Sequence, residues 1–252
     1  MIKMTEKKVK PRRKTKLTPE ERMQELLSLA EAAIQDEGLA KISLNRLVNE
    51  CSFSRGTFFT DIPNKEALYA HLAIKGMRQW LEIIAKGKDF QGTARERFLV
   101  LHVAHMIFIK THPILYECIY IANLNIIRVE LDQETIERLD KKTELLIDSI
   151  EACIKEAISN GELQPLKDFT TRDFATFMWA GQYGVNTLSM RYKLESYDLG
   201  LKYKHYIRQV LDNMPWHPIS TEHDFEKTAE RIVTEIYGKE FSLAKNLNLS
   251  WA

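Results

Sequence analysis

Residues 54–68, SRGTFFTDIPNKEAL, predict a short helix, a break and the start of a longer helix. Ser54 is a favoured N-cap residue, so a helix is expected over about residues 55–60. Pro63 disfavours helical backbone in the residue before it and therefore ends that helix. Asn64 then caps a long helix. A helix of about six residues is unstable alone in water, so packing against its neighbours must hold it.

Two further helices are expected before this segment. The sequence TPEE from Thr18 has the pattern of a capping box, with proline at the first helical position. Apolar residues then recur at helical spacing as far as Gly38. Ser43 is placed to cap a second short helix, LNRLVNEC. Residues 18–64 therefore predict a helix-turn-helix, whose second short helix would lie in a DNA major groove.

Residues 47–68, LVNECSFSRGTFFTDIPNKEAL, resemble the signature of the TetR (tetracycline-repressor-like) family of bacterial transcription regulators. The resemblance joins Ser-x-Gly-Thr, an aromatic pair and Lys-Glu at fixed distances, and it covers about residues 20–75. It implies an all-α chain in which an N-terminal three-helix helix-turn-helix DNA-binding domain precedes a larger helical domain for ligand binding and dimerisation.

This chain departs from the family signature at three positions. Ser52 stands where the family has a turn glycine, which is the most permissive residue for a turn. Phe59 lacks the aromatic hydroxyl usual at its position, and with it a phosphate hydrogen bond. Asp61 stands where the family often has an aromatic residue. An acid near DNA repels phosphate unless it points away or accepts from a cytosine amino group.

The helix positions and the resemblance together define candidate DNA contacts. Arg55 is expected to read a base edge, because a guanidinium pairs with O6 and N7 of guanine. Gly56 would let the backbone approach DNA closely, and Lys65 would bind a phosphate; a tolerated helix glycine and a solvated lysine are the alternatives. The complete set of expected contacts is Ser43, Arg46, Ser54, Arg55, Gly56, Thr57, Phe59, Thr60 and Lys65.

The composition is that of a globular chain with room for sizeable cores, since 44% of its 252 residues are hydrophobic and 28% are charged. Cys51, Cys118 and Cys153 are widely spaced, which predicts buried thiols in a reducing compartment. The basic N-terminus is not followed by an apolar segment, and residues 98–109 are too short to cross a bilayer. We expect a cytoplasmic protein with no membrane partner.

The formal net charge of +1 hides an uneven distribution. Residues 1–16 carry eight Lys or Arg and one acid, so the rest of the chain has a net charge of −6. A basic arm on an acidic body is a candidate contact for nucleic acid or an anionic membrane, and a disordered solubilising tail is the alternative. Beside a helix-turn-helix, we interpret the arm as one that enters an adjacent minor groove.

The long periodic stretches and the scarcity of glycine and proline predict an all-helical chain. We expect five parts in chain order. They are a basic flexible arm (1–17), the helix-turn-helix domain (18–64), a connecting helix (65–88), a ligand-binding and dimerisation domain (89–214) and a C-terminal helical extension (215–252).

The sequence of the ligand-binding and dimerisation domain identifies its functional residues less clearly than that of the helix-turn-helix. Its candidate pocket residues are His102, His105, Met106, Tyr116, Tyr120 and Phe177, each of which could equally be ordinary core or surface. The helix 171–192 is apolar on nearly every side and is therefore expected to be buried all round, either in a dimer or in a monomer core. Its candidate dimer-interface residues are Gly181, Gly184 and Leu188. The histidines are spaced for a metal pair, but no third ligand is identifiable, so neither a metal nor a cofactor is expected.

Three functions compete on these observations. The first is a homodimeric repressor that binds palindromic double-stranded operator DNA and is released by a small, largely apolar effector. The second, an enzyme, is disfavoured because the sequence has no Gly-rich phosphate loop, nucleophile elbow or metal-spaced cluster. The third is a non-enzymatic adaptor that uses the basic arm and a helix over about residues 221–242 to bind a partner or an anionic membrane.

Overall fold

The computed structural model describes residues 17–165, 167–191, 199–217 and 225–244. Within these residues the chain is helical, apart from one isolated β-bridge between Leu163 and Trp216. The predicted all-α class is therefore confirmed. The chain divides into two compact units, Met1–Leu68 and Tyr69–Ala252. The predicted basic arm, residues 1–16, lies outside the described residues.

The first unit contains the three predicted helices. They are α1 (Pro19–Glu37), α2 (Leu44–Glu50) and α3 (Arg55–Asp61), followed by the start of α4 (Lys65–Lys86). Thr18 forms the predicted capping box with Glu21, and Gly38 ends α1 with a φ of 86°. Phe58 and Ile62 are completely buried, which explains how a helix as short as α3 is held in place.

The second unit contains the rest of α4 and eight further helices among the described residues. These are α5 (Ala94–Thr111), α6 (Pro113–Ala122), α7 (Asn125–Arg128), α8 (Gln133–Ser159), α9 (Thr171–Arg191), α10 (Leu199–Asp212), α11 (Phe225–Glu235) and α12 (Gly238–Ala244). Thr93 forms a second capping box with Glu96, and Asp132 caps α8. Hydrogen bonds to Asp132 from the backbone and side chain of Thr135 lower the pKa of its carboxyl group.

Helix α5 lies at the centre of the second unit, where α6, α8, α11 and α12 all pack against it. Its buried residues lie on nearly every side of the helix. The neighbouring helices α6, α8, α11 and α12 shield the apolar residues of α5 from water. Such burial of apolar surface is the main favourable contribution to folding.

The C-terminal extension forms two helices where the sequence suggested one over about residues 221–242. Helix α11 ends at Glu235 and α12 begins at Gly238, and both pack on α5. Between them, the buried hydroxyl of Tyr237 donates a 3.1 Å hydrogen bond to the carbonyl oxygen of Ile83 near the end of α4. The described residues 225–244 of the extension thus pack into the core of the second unit.

Among the described residues, no single helix is long and apolar enough to cross a bilayer. The bent pair Ala94–Thr111 and Pro113–Ala122 passes that test only when the two helices are taken together.

Candidate nucleic-acid interface

Helix α3 divides into a buried side and an exposed side. Phe58 is completely buried, whereas Ser54, Arg55, Gly56 and Thr60 are exposed. The spacing of about 3.6 residues per turn places Gly56 and Thr60 on the face opposite Phe58, and Ser54 and Arg55 continue this exposed surface at the N-terminal end of the helix. The structure therefore exposes four of the nine positions at which DNA contacts are expected, and the other five are half-buried.

The N-terminus of α3 is capped as the sequence predicts. The Ser54 hydroxyl accepts a 3.2 Å hydrogen bond from the backbone N–H of Thr57, and the two side-chain oxygens are 2.8 Å apart. The Thr60 hydroxyl donates to the carbonyl oxygen of Gly56 at 3.0 Å. The Ser54 and Thr60 hydroxyl groups retain lone pairs and can rotate toward a ligand.

Arg55 extends along the exposed face of α3. Its guanidinium carbon lies 5.0 Å from the centre of the Phe59 ring, within the range of a cation–π interaction. The Phe59 ring in turn packs edge-on against Phe58, with ring centres 5.2 Å apart. Phe59 thus supports the arginine, which is a structural use for an aromatic residue that lacks a hydroxyl.

Gly56 is not required by the packing of its own unit. A Cβ atom built at this position would meet nothing closer than the Ser54 Oγ atom at 4.0 Å. The glycine instead leaves the exposed face of α3 flat, which is what a close approach of another molecule to the backbone requires.

Asp61 points toward α1. Its carboxylate accepts two hydrogen bonds from Arg22, one from Nε at 2.8 Å and one from Nη2 at 3.0 Å. Both side chains are mostly buried. This bidentate bond raises the pKa of the Arg22 guanidinium. The acid that seemed out of place beside DNA is thereby oriented away from the exposed face of α3.

The turn between α2 and α3 is made without glycine. The carboxylate of Glu25 accepts from the Ser52 backbone N–H at 2.6 Å and from the Ser52 hydroxyl at 2.7 Å. Among the described residues, the non-glycine residue with a positive φ is Asp168, so Ser52 has an ordinary backbone conformation. Two hydrogen bonds that Ser52 donates to Glu25 on α1 thus hold the turn at the position where the family has glycine.

Two of the expected phosphate contacts, Ser43 and Arg46, belong to α2 and its N-terminus. Ser43 occupies the N-cap position of α2, but its side chain makes no capping hydrogen bond. Arg46 donates to Glu50 at 2.9 Å and also pairs with Glu37. The bond to Glu50 raises the pKa of Arg46. Lys65 begins α4, as expected.

In the second unit, the structure brings three of the expected pocket residues together. His102 and His105 are almost completely buried, and burial lowers the pKa of each imidazole to about 3. Both rings are therefore neutral at pH 7. The His105 ring lies 5.8 Å from that of Tyr116 and 4.5 Å from that of Trp80, measured between ring centres.

The other expected pocket residues are less buried than the two histidines. Met106 is half-buried, and Tyr120 packs against Tyr183 with ring centres 5.7 Å apart. Phe177 does not join this group, because its side chain is 63% exposed and its ring meets Phe169 at the surface. The position of Phe177 on the outer side of α9 separates it from the buried histidines.

Over residues 171–185, the buried side chains of α9 lie on one side of the helix in the single chain, whereas the sequence predicted burial all round in either a dimer or a monomer core. Ala175, Met178 and Gln182 are buried, but Phe177 is exposed. A Cβ at Gly181 would meet the Tyr206 hydroxyl at 3.5 Å, and one at Gly184 would meet nothing within 4 Å. The side chain of Leu188 lies outside the described residues.

The described residues contain no group of three His, Cys, Asp or Glu side chains arranged to hold a metal ion. Cys118 is buried as expected, while Cys51 and Cys153 are partly exposed. Burial raises the pKa of the thiols of Cys51 and Cys153 to about 11.

Solved structures with the same fold include several named as TetR-family regulators. One from Agrobacterium tumefaciens is 18% identical, with a TM-score of 0.56 over 79% of this chain and 100% of that one. FadR from Bacillus subtilis in complex with stearoyl-CoA is 15% identical, with a TM-score of 0.56 over 75% and 96% of the chains. The ketosteroid regulator KstR2 of Mycobacterium tuberculosis is 17% identical, with a TM-score of 0.52 over 77% and 95%.

No family model matches the chain, and no curated protein matches its sequence. The comparisons therefore define the fold, which is the all-α fold of these regulators with an N-terminal helix-turn-helix unit. A fold alone does not fix a function, so function must be argued from the site.

Three features of the site were not identified from the sequence. They are Arg22, Glu25 and the amide of Gln182, whose Nε2 atom lies 2.6 Å from Nδ1 of His102. Each acts on a residue far away in the chain, and a single sequence carries no signal for such a pairing. The sequence did identify Asp61 and Ser52 as unusual, but not their partners Arg22 and Glu25.

Proposed function

We propose that this chain is a TetR-family transcriptional regulator. It binds double-stranded operator DNA through α3 as a homodimer and acts as a repressor that a small, largely apolar effector releases. The observation that carries the proposal is the exposed face of Ser54, Arg55, Gly56 and Thr60 on a short helix held by Phe58. That arrangement suits a recognition helix in a major groove.

The roles on this face follow from the chemistry of DNA. Arg55 reads a guanine edge, supported from below by the Phe59 ring. Ser54, Thr57 and Thr60 contact phosphates or sugars and set the register, as does Lys65 at the start of α4. Arg46 contributes less, because Glu50 and Glu37 already neutralise it.

The homodimer is supported by apolar side chains that the single chain leaves in water. Leu145, Phe169, Phe177 and Tyr206 on and beside α8, α9 and α10 are exposed large hydrophobic residues. Phe169 and Phe177 form one exposed pair with ring centres 5.8 Å apart, and contiguous exposed apolar surface marks interaction sites. A second copy would cover them, and two-fold symmetry would present two α3 helices to a palindromic site.

The effector is assigned to the second unit. Neutral histidines among aromatic rings suit a mostly apolar ligand with few polar groups. The stearoyl chain of the stearoyl-CoA in the FadR complex and the ketosteroid in the name of KstR2 are largely apolar. Release requires only that the effector bind better to a conformation whose two α3 helices no longer match the operator.

The adaptor function finds less support. Its C-terminal helix would need a free apolar face, but Phe225, Ala229, Ile232 and Val233 of α11 are buried. The basic arm remains available to either function, and we assign it to the minor groove.

The test is a selection of bound duplexes from a random library with the full-length chain, followed by gel-shift titration. We expect a palindromic site and an affinity that falls steeply with salt, because phosphate contacts release counterions. Failure to enrich any sequence would refute the proposal. Binding of anionic vesicles without DNA, lost when residues 1–16 are removed, would instead support the adaptor.

A further inference from the structure

The interior of the second unit contains buried polar atoms that no described residue satisfies. Among them are Nε1 of Trp80 on α4 and Nε2 of His102 on α5. A buried donor without an acceptor loses its hydrogen bonds to water and gains none in return, so native proteins contain few. Two in one interior therefore require an explanation.

The hydrogen-bond partner of His102 determines which of its nitrogens carries the proton. Nε2 of Gln182 lies 2.6 Å from Nδ1 of His102. An amide nitrogen can only donate, so Nδ1 of the histidine accepts. Because burial keeps the imidazole neutral, its single proton lies on Nε2. That N–H is a fixed donor without an acceptor.

Trp80 supplies the second donor. An indole N–H donates only, and the Trp80 side chain is nearly fully buried. Its ring packs on His105, with centres 4.5 Å apart, and His105 lies one helical turn from His102. Both Trp80 and His102 therefore lie near His105.

A cavity of about 360 Å³ lies close to this cluster, lined by residues of α9, α10 and the segment after α10. Phe174 lines it, and the Phe174 ring lies 6.4 Å from that of Phe98. The Phe98 ring lies 5.6 Å from that of His102. One aromatic ring thus separates the cavity wall from the first donor.

We propose that the effector is an apolar molecule with an uncharged carbonyl acceptor, as in a ketone, ester or thioester, that binds the N–H groups of His102 and Trp80. Its apolar body occupies the cavity beside Phe174, and Phe98 turns aside to admit the carbonyl. The inference rests on the proposed function for the ligand's role as effector, but the binding itself requires no DNA.

The acceptor is uncharged because of what surrounds the donors. The side chains in ring contact or hydrogen-bonded with the two histidines include Phe98, Trp80, Tyr116 and Gln182, and all four are uncharged at pH 7. A carboxylate placed among them would lose its hydration without gaining a counter-charge. A carbonyl oxygen has two lone pairs and can accept from both N–H groups.

The test uses butyrophenone and butylbenzene, which differ by a carbonyl in place of a methylene, with the full-length chain and no DNA. Calorimetric titration should give about tenfold tighter binding for the ketone, on the order of two net hydrogen bonds. Phenylbutyrate should bind more weakly than the ketone. Equal affinity for the ketone and the hydrocarbon would overturn the inference, and a buried water that satisfies both donors predicts that result.

Variants assign the preference to the two donors. We expect His102→Phe and Trp80→Phe each to reduce the ketone preference about threefold, and the double variant to abolish it. Trp179→Phe is the matched control and should preserve the preference, since Trp179 stacks on Tyr183 instead. A preference that survives in the double variant overturns the inference.

Nitrogen NMR of the native chain gives an answer even if these variants fail to fold. The spectrum should show the His102 proton on Nε2, with a resonance that moves on addition of butyrophenone and not of butylbenzene. A proton on Nδ1 contradicts the inference. A chain that binds DNA but does not discriminate the probes disproves this inference alone, and one that discriminates them without binding DNA disproves the proposed function alone.

Discussion

Arg22 and Asp61 form a bidentate ion pair across 39 positions of sequence, from the first turn of α1 to the last residue of α3. The pair fixes the C-terminal end of the short α3 to the long α1. It also orients the carboxylate away from the exposed face of α3. An acid that seems to oppose DNA binding when read in the sequence is thus a structural support for the helix that we propose to bind DNA.

The first prediction concerns this ion pair. Asp61→Ala should weaken the attachment of α3, so that its backbone amides exchange with deuterium faster than those of α1. The double variant with Arg22→Ala should lose less stability than the two single variants together, because only the first change breaks the pair. Additive losses in thermal unfolding would show that the pair does not couple the helices. Asp61→Asn should leave the salt dependence of DNA binding unchanged.

Residues 51–62 show which structural features can be predicted from the sequence and which cannot. Ser54 as a cap, Phe58 as a core residue and the break at Ile62 were all predictable, because each depends on local backbone chemistry or helical spacing. The roles of Ser52 and Asp61 were not, since Glu25 and Arg22 lie 27 and 39 positions away. A pairing over such distances exists only once α1 has packed on α3.

The second prediction separates base readout from phosphate binding. Arg55→Ala should cost about 1–3 kcal/mol of binding to the selected site and relax the preference at one base pair. Lys65→Ala should weaken binding to all sequences alike and reduce the salt slope by about 1. Arg46→Ala is the control with the smallest effect, because Arg46 is already paired with Glu50. An Arg46 effect as large as that of Arg55 would contradict this assignment.

The third prediction uses the open space around Gly56. Gly56→Ala should keep or raise the free energy of unfolding, by up to about 1 kcal/mol, because alanine is the better helix former and nothing nearby obstructs its Cβ. Affinity for operator DNA should nevertheless fall, since the methyl group would stand between helix and DNA. Unchanged affinity in a gel-shift titration would remove Gly56 from the interface.

The fourth prediction tests the C-terminal extension. A Cβ at Gly87 would lie 2.2 Å from Cγ1 of Val100 and 2.8 Å from the Tyr237 hydroxyl, so Gly87→Ala should destabilise the second unit. Tyr237→Phe should cost about 1–3 kcal/mol, because it removes the buried hydrogen bond to Ile83. Gly238→Ala, with open space around it, is the control in urea unfolding. If all three variants unfolded alike, the extension would not be part of this core.

The buried histidines could be located from the sequence only in part. Their three-residue spacing on α5 was visible, and so was the choice between core and pocket. The amide of Gln182, 80 positions away, was not visible, although it decides which nitrogen of His102 carries the proton. Helical spacing shows which residues share a face of one helix, and it does not show what another helix places against that face.

The final prediction follows from the pKa of these two histidines. Burial lowers each from 6.5 to about 3, so between those values the unfolded chain binds more protons than the folded one. The contribution of these two histidines to the free energy of unfolding is therefore fully present above pH 6.5. It declines as the pH falls toward 3, by roughly 1.4 kcal/mol per pH unit for each histidine. Urea unfolding at a series of pH values measures the slope. His102→Phe should remove about half of the pH dependence that the two histidines give to the free energy of unfolding. If the variant and the native chain showed the same pH dependence, His102 would not be buried in its neutral form.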